Sequence, residues 1–255
     1  MAHPLDGAHA KLEWANAHVL KLQQELFAFF HRVPYTVWRE RNRRTGQIRL
    51  LAQDMGVGDP PVSFALLAGE AAYQLRSSLD HVIYQLFLAN QTTPDRKTQF
   101  PIFETSQGYK IRANAMIHGA SVTAQARIEA LQPYHHARNA QQDPLWMLQD
   151  LNNTDKHRLI PTCIVSGHHF IRVVFPKKEL VDVEFPFNGP IQDGTELCRF
   201  VLARQRLEVE MESELFGAIA FQQIGGAQYE PVVPGLSQLA NYVKGVIDSF
   251  ASEFS

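Results

Sequence analysis

Apolar residues recur at helical spacing near the start of the chain. Leu12, Ala15, Val19, Leu22, Leu26 and the pair Phe29-Phe30 predict an amphipathic helix over residues 5–31, closed by Pro34. The period then changes. Tyr35-Thr36-Val37-Trp38 and Ile48-Arg49-Leu50-Leu51 flank Asn42-Arg43-Arg44-Thr45-Gly46, which predicts a β-hairpin at about 35–53. Gly56, Gly58 and Pro60-Pro61 mark a loop that opens a long central helix over 62–90. Pro94, Pro101 and Gly108 punctuate an irregular passage through Phe100-Pro101-Ile102-Phe103, and two shorter helices follow at about 106–117 and 121–132. The stretch from His135 to Gln142 is loop-like. Asp143-Pro144, a capping residue before a first-turn proline, starts another helix that runs to about Arg158.

After Pro161 the chain becomes rich in Val, Ile and Phe at alternating positions. Strands are expected at Cys163–Ser166, Phe170–Phe175, Leu180–Phe185 and Arg206–Met211, with turns at Gly167, Asn188-Gly189 and Asp193-Gly194. That makes an antiparallel sheet of four or five strands, which the early hairpin could join. Pro231 and Pro234 precede a closing helix over about 235–252. The fold class is α+β: a helical bundle around a long central helix, an antiparallel β-sheet appendage and a C-terminal helix. Two domains are expected, residues 1–160 with the hairpin at 35–53, and residues 161–255 with the sheet and closing helix.

Composition narrows the classes. Of 255 residues, 45% are hydrophobic and 20% charged, enough apolar surface for a large core. The net charge of −2 argues against a general nucleic-acid coat protein but leaves room for a local basic patch. Cys163 and Cys198 are too few for a disulfide framework and read as small core residues of a reducing compartment. No apolar run approaches the roughly 18 residues that span a bilayer, and Met1 to Ala10 lacks the features of a secretion signal. The expectation is a cytoplasmic protein without membrane contact. Gly7, Gly46, Gly56 and Gly58 read as turn glycines.

The candidate chemistry lies on two helices. On the central one, Leu75, Leu79, Val82 and Leu86, with Ala72 and Ile83 beside them, form the core stripe. Tyr73, Arg76, Ser77, Asp80, His81 and Tyr84 share the opposite arc, a composition suited to a half-buried polar surface or, more simply, a solvent face. Arg76 and Asp80 are i,i+4 partners. On the later helix, within Asn152-Asn153-Thr154-Asp155-Lys156-His157-Arg158, Asn152 and Asp155 project into the face of Leu145, Leu148, Leu151 and Leu159. A carboxylate pointing into a core requires a partner, so Asp155 is expected to meet Arg76 or His81 across a helix contact. His157 lies on another side, beside Trp146, Asp150 and Asn153, either as a second acid–base group or as a surface His bonded to Asn153. The cluster is either a functional site or a structural ion-pair clamp. His135-His136 and His168-His169 lack metal-ligand spacing. Arg76 and Lys156 would repel a cation from a site built on Asp80, His81, Asp155 and His157, so neither metal nor cofactor is expected. No phosphate-loop, dinucleotide or serine-hydrolase motif is present.

Arg76, four residues and then His81 resembles the Arg-to-His spacing motif of HEPN-type helical domains, which Arg112 and His118 also match. The resemblance implies an all-α, usually dimeric fold and, for many members, a metal-independent RNA endonuclease of toxin or anti-phage systems. It would make His81 the acid–base group and Arg76 the phosphate clamp, with Asp80, Asn152, Asp155 and His157 in support and RNA and a second copy of the chain as partners. The segments R-S-S-L-D-H and N-N-T-D-K-H-R also resemble an uncharacterised family of bacterial proteins over about residues 60–165, which implies no activity. Arg39, Arg41, Arg43 and Arg44 cluster on the expected hairpin and suit phosphate contacts, or else form a solvated hairpin tip. The alternative to the ribonuclease is a non-catalytic HEPN-like binding or structural protein in which Arg76, Asp80 and Asp155 act as an interhelical clamp.

Overall fold

The structure, a computed structural model, describes residues 3–32, 36–53, 60–136, 139–174, 180–184, 192–202, 210–224 and 227–254. Pro34, the Gly56 and Gly58 loop, the Asn188-Gly189 turn, the side chains of His168 and His169, and most of the strand expected at Arg206–Met211 lie outside them. The class is α+β. In chain order the elements are α1 (Asp6–Arg32), β1 (Thr36–Arg41), β2 (Gln47–Gln53), α2 (Val62–Ala89), α3 (Ser106–Arg112), α4 (Asn114–Ile117), α5 (Val122–Ala130) and α6 (Pro133–His136). There follow α7 (Pro144–His157), β3 (Thr162–Val174), β4 (Leu180–Glu184), β5 (Glu196–Leu202), β6 (Glu210–Ile224), β7 (Ala227–Pro231) and α8 (Val232–Ser249).

Contacts divide the chain into two units. One holds Met1–Gln23, Val62–Pro161 and Phe221–Ser255, and the other Gln24–Pro61 and Thr162–Ala220. A division near residue 160 was expected. The hairpin nevertheless groups with the later strands, and the closing helix groups with the earlier helices.

In the helical unit α2 is the central element and packs on α7 and α8. Its stripe of Ala72, Leu75, Leu79, Val82, Ile83 and Leu86 is buried as the periodicity requires. The facing positions are Leu145, Leu148 and Leu151 of α7, and Leu236, Leu239, Val243 and Ile247 of α8, all buried. Gln91, at φ 53°, takes the left-handed conformation just past α2, and the Thr92 N–H returns to the Phe87 carbonyl at 2.8 Å to close the helix end. Asp143 caps α7 by accepting from the Leu145 N–H at 2.8 Å, with Pro144 behind it, as the sequence predicts. Leu159 departs from expectation. It falls beyond the C-cap at Arg158 and is 47% exposed, because the helix ends before its turn would bring it to the core.

In the other unit β1, β2, β5 and β4 form an antiparallel sheet in that order. Gly46, at φ 74°, completes the hairpin turn, whose other amides are held by the Asn42 carboxamide. Ile48, Leu50, Cys198 and Phe200 are buried on one face. The other face carries a ladder of charges. Arg49 bridges Glu40 and Glu196 at 2.7 and 2.6 Å, and Arg199 pairs with Glu184. The hydrogen bond from Arg49 to Glu196 is the main cause that raises the guanidinium pKa above its ordinary value. Three strand expectations need correction. Gly167 is not a turn but lies inside β3, which runs unbroken. β5 and β7 were not foreseen. β3, β6 and β7 make a second sheet with β6 central, and the last residues of β6, Phe221–Ile224, group with β7 in the helical unit. Gly7, expected in a turn, sits in the first turn of α1.

Candidate functional site

Arg76 is buried, 7% exposed, on the side of α2 that meets the irregular segment after it. Each guanidinium nitrogen has its own acceptor. Nε donates to Gln149 Oε1 of α7 at 2.9 Å, one terminal nitrogen to Asp80 Oδ1 at 2.5 Å, and the other to the Phe100 carbonyl at 2.7 Å. Asp80 Oδ1 also accepts from the Phe100 N–H at 2.8 Å. Arg76 and Asp80 therefore occupy both polar backbone atoms of one residue in a segment that has no strand or helix partner. A buried backbone of that kind must find its hydrogen bonds elsewhere.

A second side chain completes the attachment. Gln132, wholly buried, accepts from the Phe103 N–H at 3.0 Å and donates to the carbonyls of Pro101 and Ile128 at 2.9 and 3.0 Å. Phe100 and Phe103 are thereby held in the core. Sequence reasoning did not single out Gln132. A glutamine at the end of an amphipathic helix carries no signal that it turns inward.

Asn152 is buried where expected, and with Arg76, Ser77, Asp80, Gln149 and Lys156 it lines a recess of about 110 Å³. That is well below the ~300 Å³ at which ligand pockets begin. His81, Asp155 and His157 do not line it. His81 packs on the start of α1 instead, where a Cβ on Gly7 would lie 3.1 Å from its Nδ1. Burial, with help from the nearby Lys11 charge, lowers the imidazole pKa from its ordinary value, against the pull of Asp80.

Asp155 meets α2 a full two turns before Arg76. A Cβ on Gly69 would fall 2.0 Å from its Oδ1, so the missing side chain of Gly69 is what admits the carboxylate. The expected contact of Asp155 with Arg76 or His81 is not made: no hydrogen bond or ion pair joins them among the described residues. Burial first, and then the neighbouring Glu70, raise its pKa. His157 is exposed, and Asn153 accepts from Gln149 at 3.3 Å rather than bonding His157. The spacing of side chains along one helix thus read correctly for Arg76 with Asp80, while contacts between helices depended on where glycine lets them approach.

Arg39, Arg41, Arg43 and Arg44 are all exposed, on the edge strand β1 and its turn, and none has an ion-pair partner among the described residues. Exposed charge is also a common guard on an edge strand. Among the described residues no three His, Cys, Asp or Glu side chains are grouped to hold a metal ion, and no helix is long and apolar enough to cross a membrane. Cys163 and Cys198 are free thiols.

The helical unit contains a larger cavity that the sequence did not reveal. It is a half-open cleft of about 580 Å³ beside α7, with Trp146, Asp150, Thr154 and Arg158 along one wall and Gln223 and Tyr229 along another. No protein-family model matches the chain, and neither does any curated protein or solved structure compared with it.

Proposed function

We propose that this chain is a non-catalytic, HEPN-like binding protein in which Arg76, held by Asp80 on its own helix, clamps α2 to α7 through Gln149 and to the segment at Phe100. One observation carries the reading: every nitrogen of the Arg76 guanidinium is already engaged by Gln149, Asp80 and the Phe100 carbonyl. A phosphate clamp must present donors to its ligand, and these donors serve two side chains and one backbone carbonyl of the protein itself. The acid–base role fits His81 poorly for a second reason. Its pKa is displaced downward, and it packs on α1 away from the recess that Arg76 lines.

The ribonuclease reading keeps one supporting observation, the four exposed and unpaired arginines of the hairpin, which suit an anionic partner such as RNA. The deciding experiment incubates the full chain with single-stranded RNA in EDTA and looks for fragments ending in a cyclic phosphate. No cleavage above that of a His81→Ala variant is expected. Cleavage that His81→Ala abolishes, with the helical content unchanged, would overturn the clamp reading in favour of the enzyme, whose dimer would then supply the rest of the site.

A further inference from the structure

The cavity beside α7 differs from the Arg76 recess in size, in the state of its cation and in its aromatic content. Its volume of about 580 Å³ lies inside the range of small-molecule sites. Trp146, Asp150, Thr154 and Arg158 recur every four residues, so one face of α7 and its C-cap presents four different chemistries in a row. Eight residues, about 12 Å of helix, separate Asp150 from Arg158, which sets a carboxylate and a guanidinium toward opposite ends.

The Arg158 backbone N–H caps α7 on the Thr154 carbonyl at 2.9 Å. Its guanidinium, by contrast with that of Arg76, has no partner among the described residues. The Trp146 ring is fixed through its indole N–H, donated to Glu104 Oε2 at 3.0 Å. Across the cavity Tyr229 is held at φ 56°, one of two non-glycine residues at positive φ among those described. A bulky residue there is strained, and such strain concentrates at binding sites. Gln141 and Gln223 add amides, which read the polar edges of a ring.

We infer that this cavity binds a nucleoside monophosphate, its phosphate on Arg158 and its base against the rings of Trp146 and Tyr229. Arginine forks match phosphate oxygens, and aromatic faces stack bases of any sequence. A single unpaired guanidinium favours one phosphate over a polyphosphate chain. The inference rests on the binding-protein reading and names what is bound. The two fail separately, because the clamp is tested by RNA cleavage and by variants that do not touch this cavity.

The test is calorimetric titration of the full chain with AMP, GMP, CMP and UMP, and with adenosine and inorganic phosphate as partial probes. At least one mononucleotide is expected to bind more tightly than either partial probe. Arg158→Gln should weaken it by about tenfold or more, the loss of one charge-assisted contact. Tyr229→Gly supplies a control against misfolding. Glycine relaxes the positive φ, so the melting temperature should hold or rise while affinity falls. Absence of binding by all four mononucleotides overturns the inference. So does equal affinity for adenosine and AMP, or undiminished binding in both variants.

Discussion

Truncating Arg76 to alanine removes three donors at once. Asp80 keeps only the Phe100 N–H, and the Phe100 carbonyl and Gln149 Oε1 lose their partner. Breaking a buried charge pair from one side costs about 3–5 kcal/mol. The Asp80 side chain is 35% exposed against 8% for Arg76, so water rescues part of the carboxylate and the lower end applies, about 3 kcal/mol. For a chain of 255 residues that corresponds to a fall in melting temperature of about 6–12 °C. The assay is urea unfolding followed by helical circular dichroism, with the midpoint reduced and the slope unchanged. A paired variant, Arg76→Met with Asp80→Leu, sharpens it. Were this a simple ion pair, the apolar swap would restore or even raise stability. Because both polar atoms of Phe100 would be stranded, a cost of about 2 kcal/mol is expected to persist. A single-variant loss below about 1 kcal/mol, or full recovery in the pair, would refute the clamp.

Gly69→Ala is expected to destabilise by about 1–3 kcal/mol through overpacking against Asp155, and an added Asp155→Ala should relieve most of it in a denaturation cycle. The raised pKa of Asp155 means the folded state binds its proton more tightly than the unfolded chain does. The ionisation penalty is absent below the unfolded value of 3.8 and grows as pH rises through the folded pKa, so Asp155→Asn should stabilise at pH 7 but not at strongly acid pH in parallel melts. His81 runs the other way. Its lowered folded pKa makes stability fall as pH drops below the ordinary 6.5, and NMR titration should find its imidazole protonating at a lower pH than exposed histidines do. Replacing Arg39, Arg41, Arg43 and Arg44 by glutamine should leave the midpoint of unfolding unmoved, whereas Glu196→Gln should lower it, since only Glu196 belongs to the charge ladder.

Much of the helical layout was legible because apolar spacing and punctuation agree. The stripe from Leu75 to Leu86, the Asp143-Pro144 start and the hairpin at Asn42–Gly46 each obey a local rule. What was not legible is where chain segments meet. Nothing in the spacing of Arg76 says that its acceptor is the backbone of Phe100, twenty-four residues on. Gly167 shows the converse error, since a glycine within a run of Val and Ile can be carried inside a strand and need not end it. Gly69 was the overlooked clue. A glycine inside a long, otherwise good helix weakens it unless a neighbour needs the space, and here Asp155 does.

The attachment of Phe100 to Phe103 has a consequence for how this protein opens. Segments without regular structure are usually the first to exchange amide hydrogens and to be cut by proteases. Here the N–H groups of Phe100 and Phe103 point into side chains anchored on α2 and at the end of α5. Their deuterium uptake should therefore follow that of the central helix, and nicking should spare this stretch until α2 itself unravels.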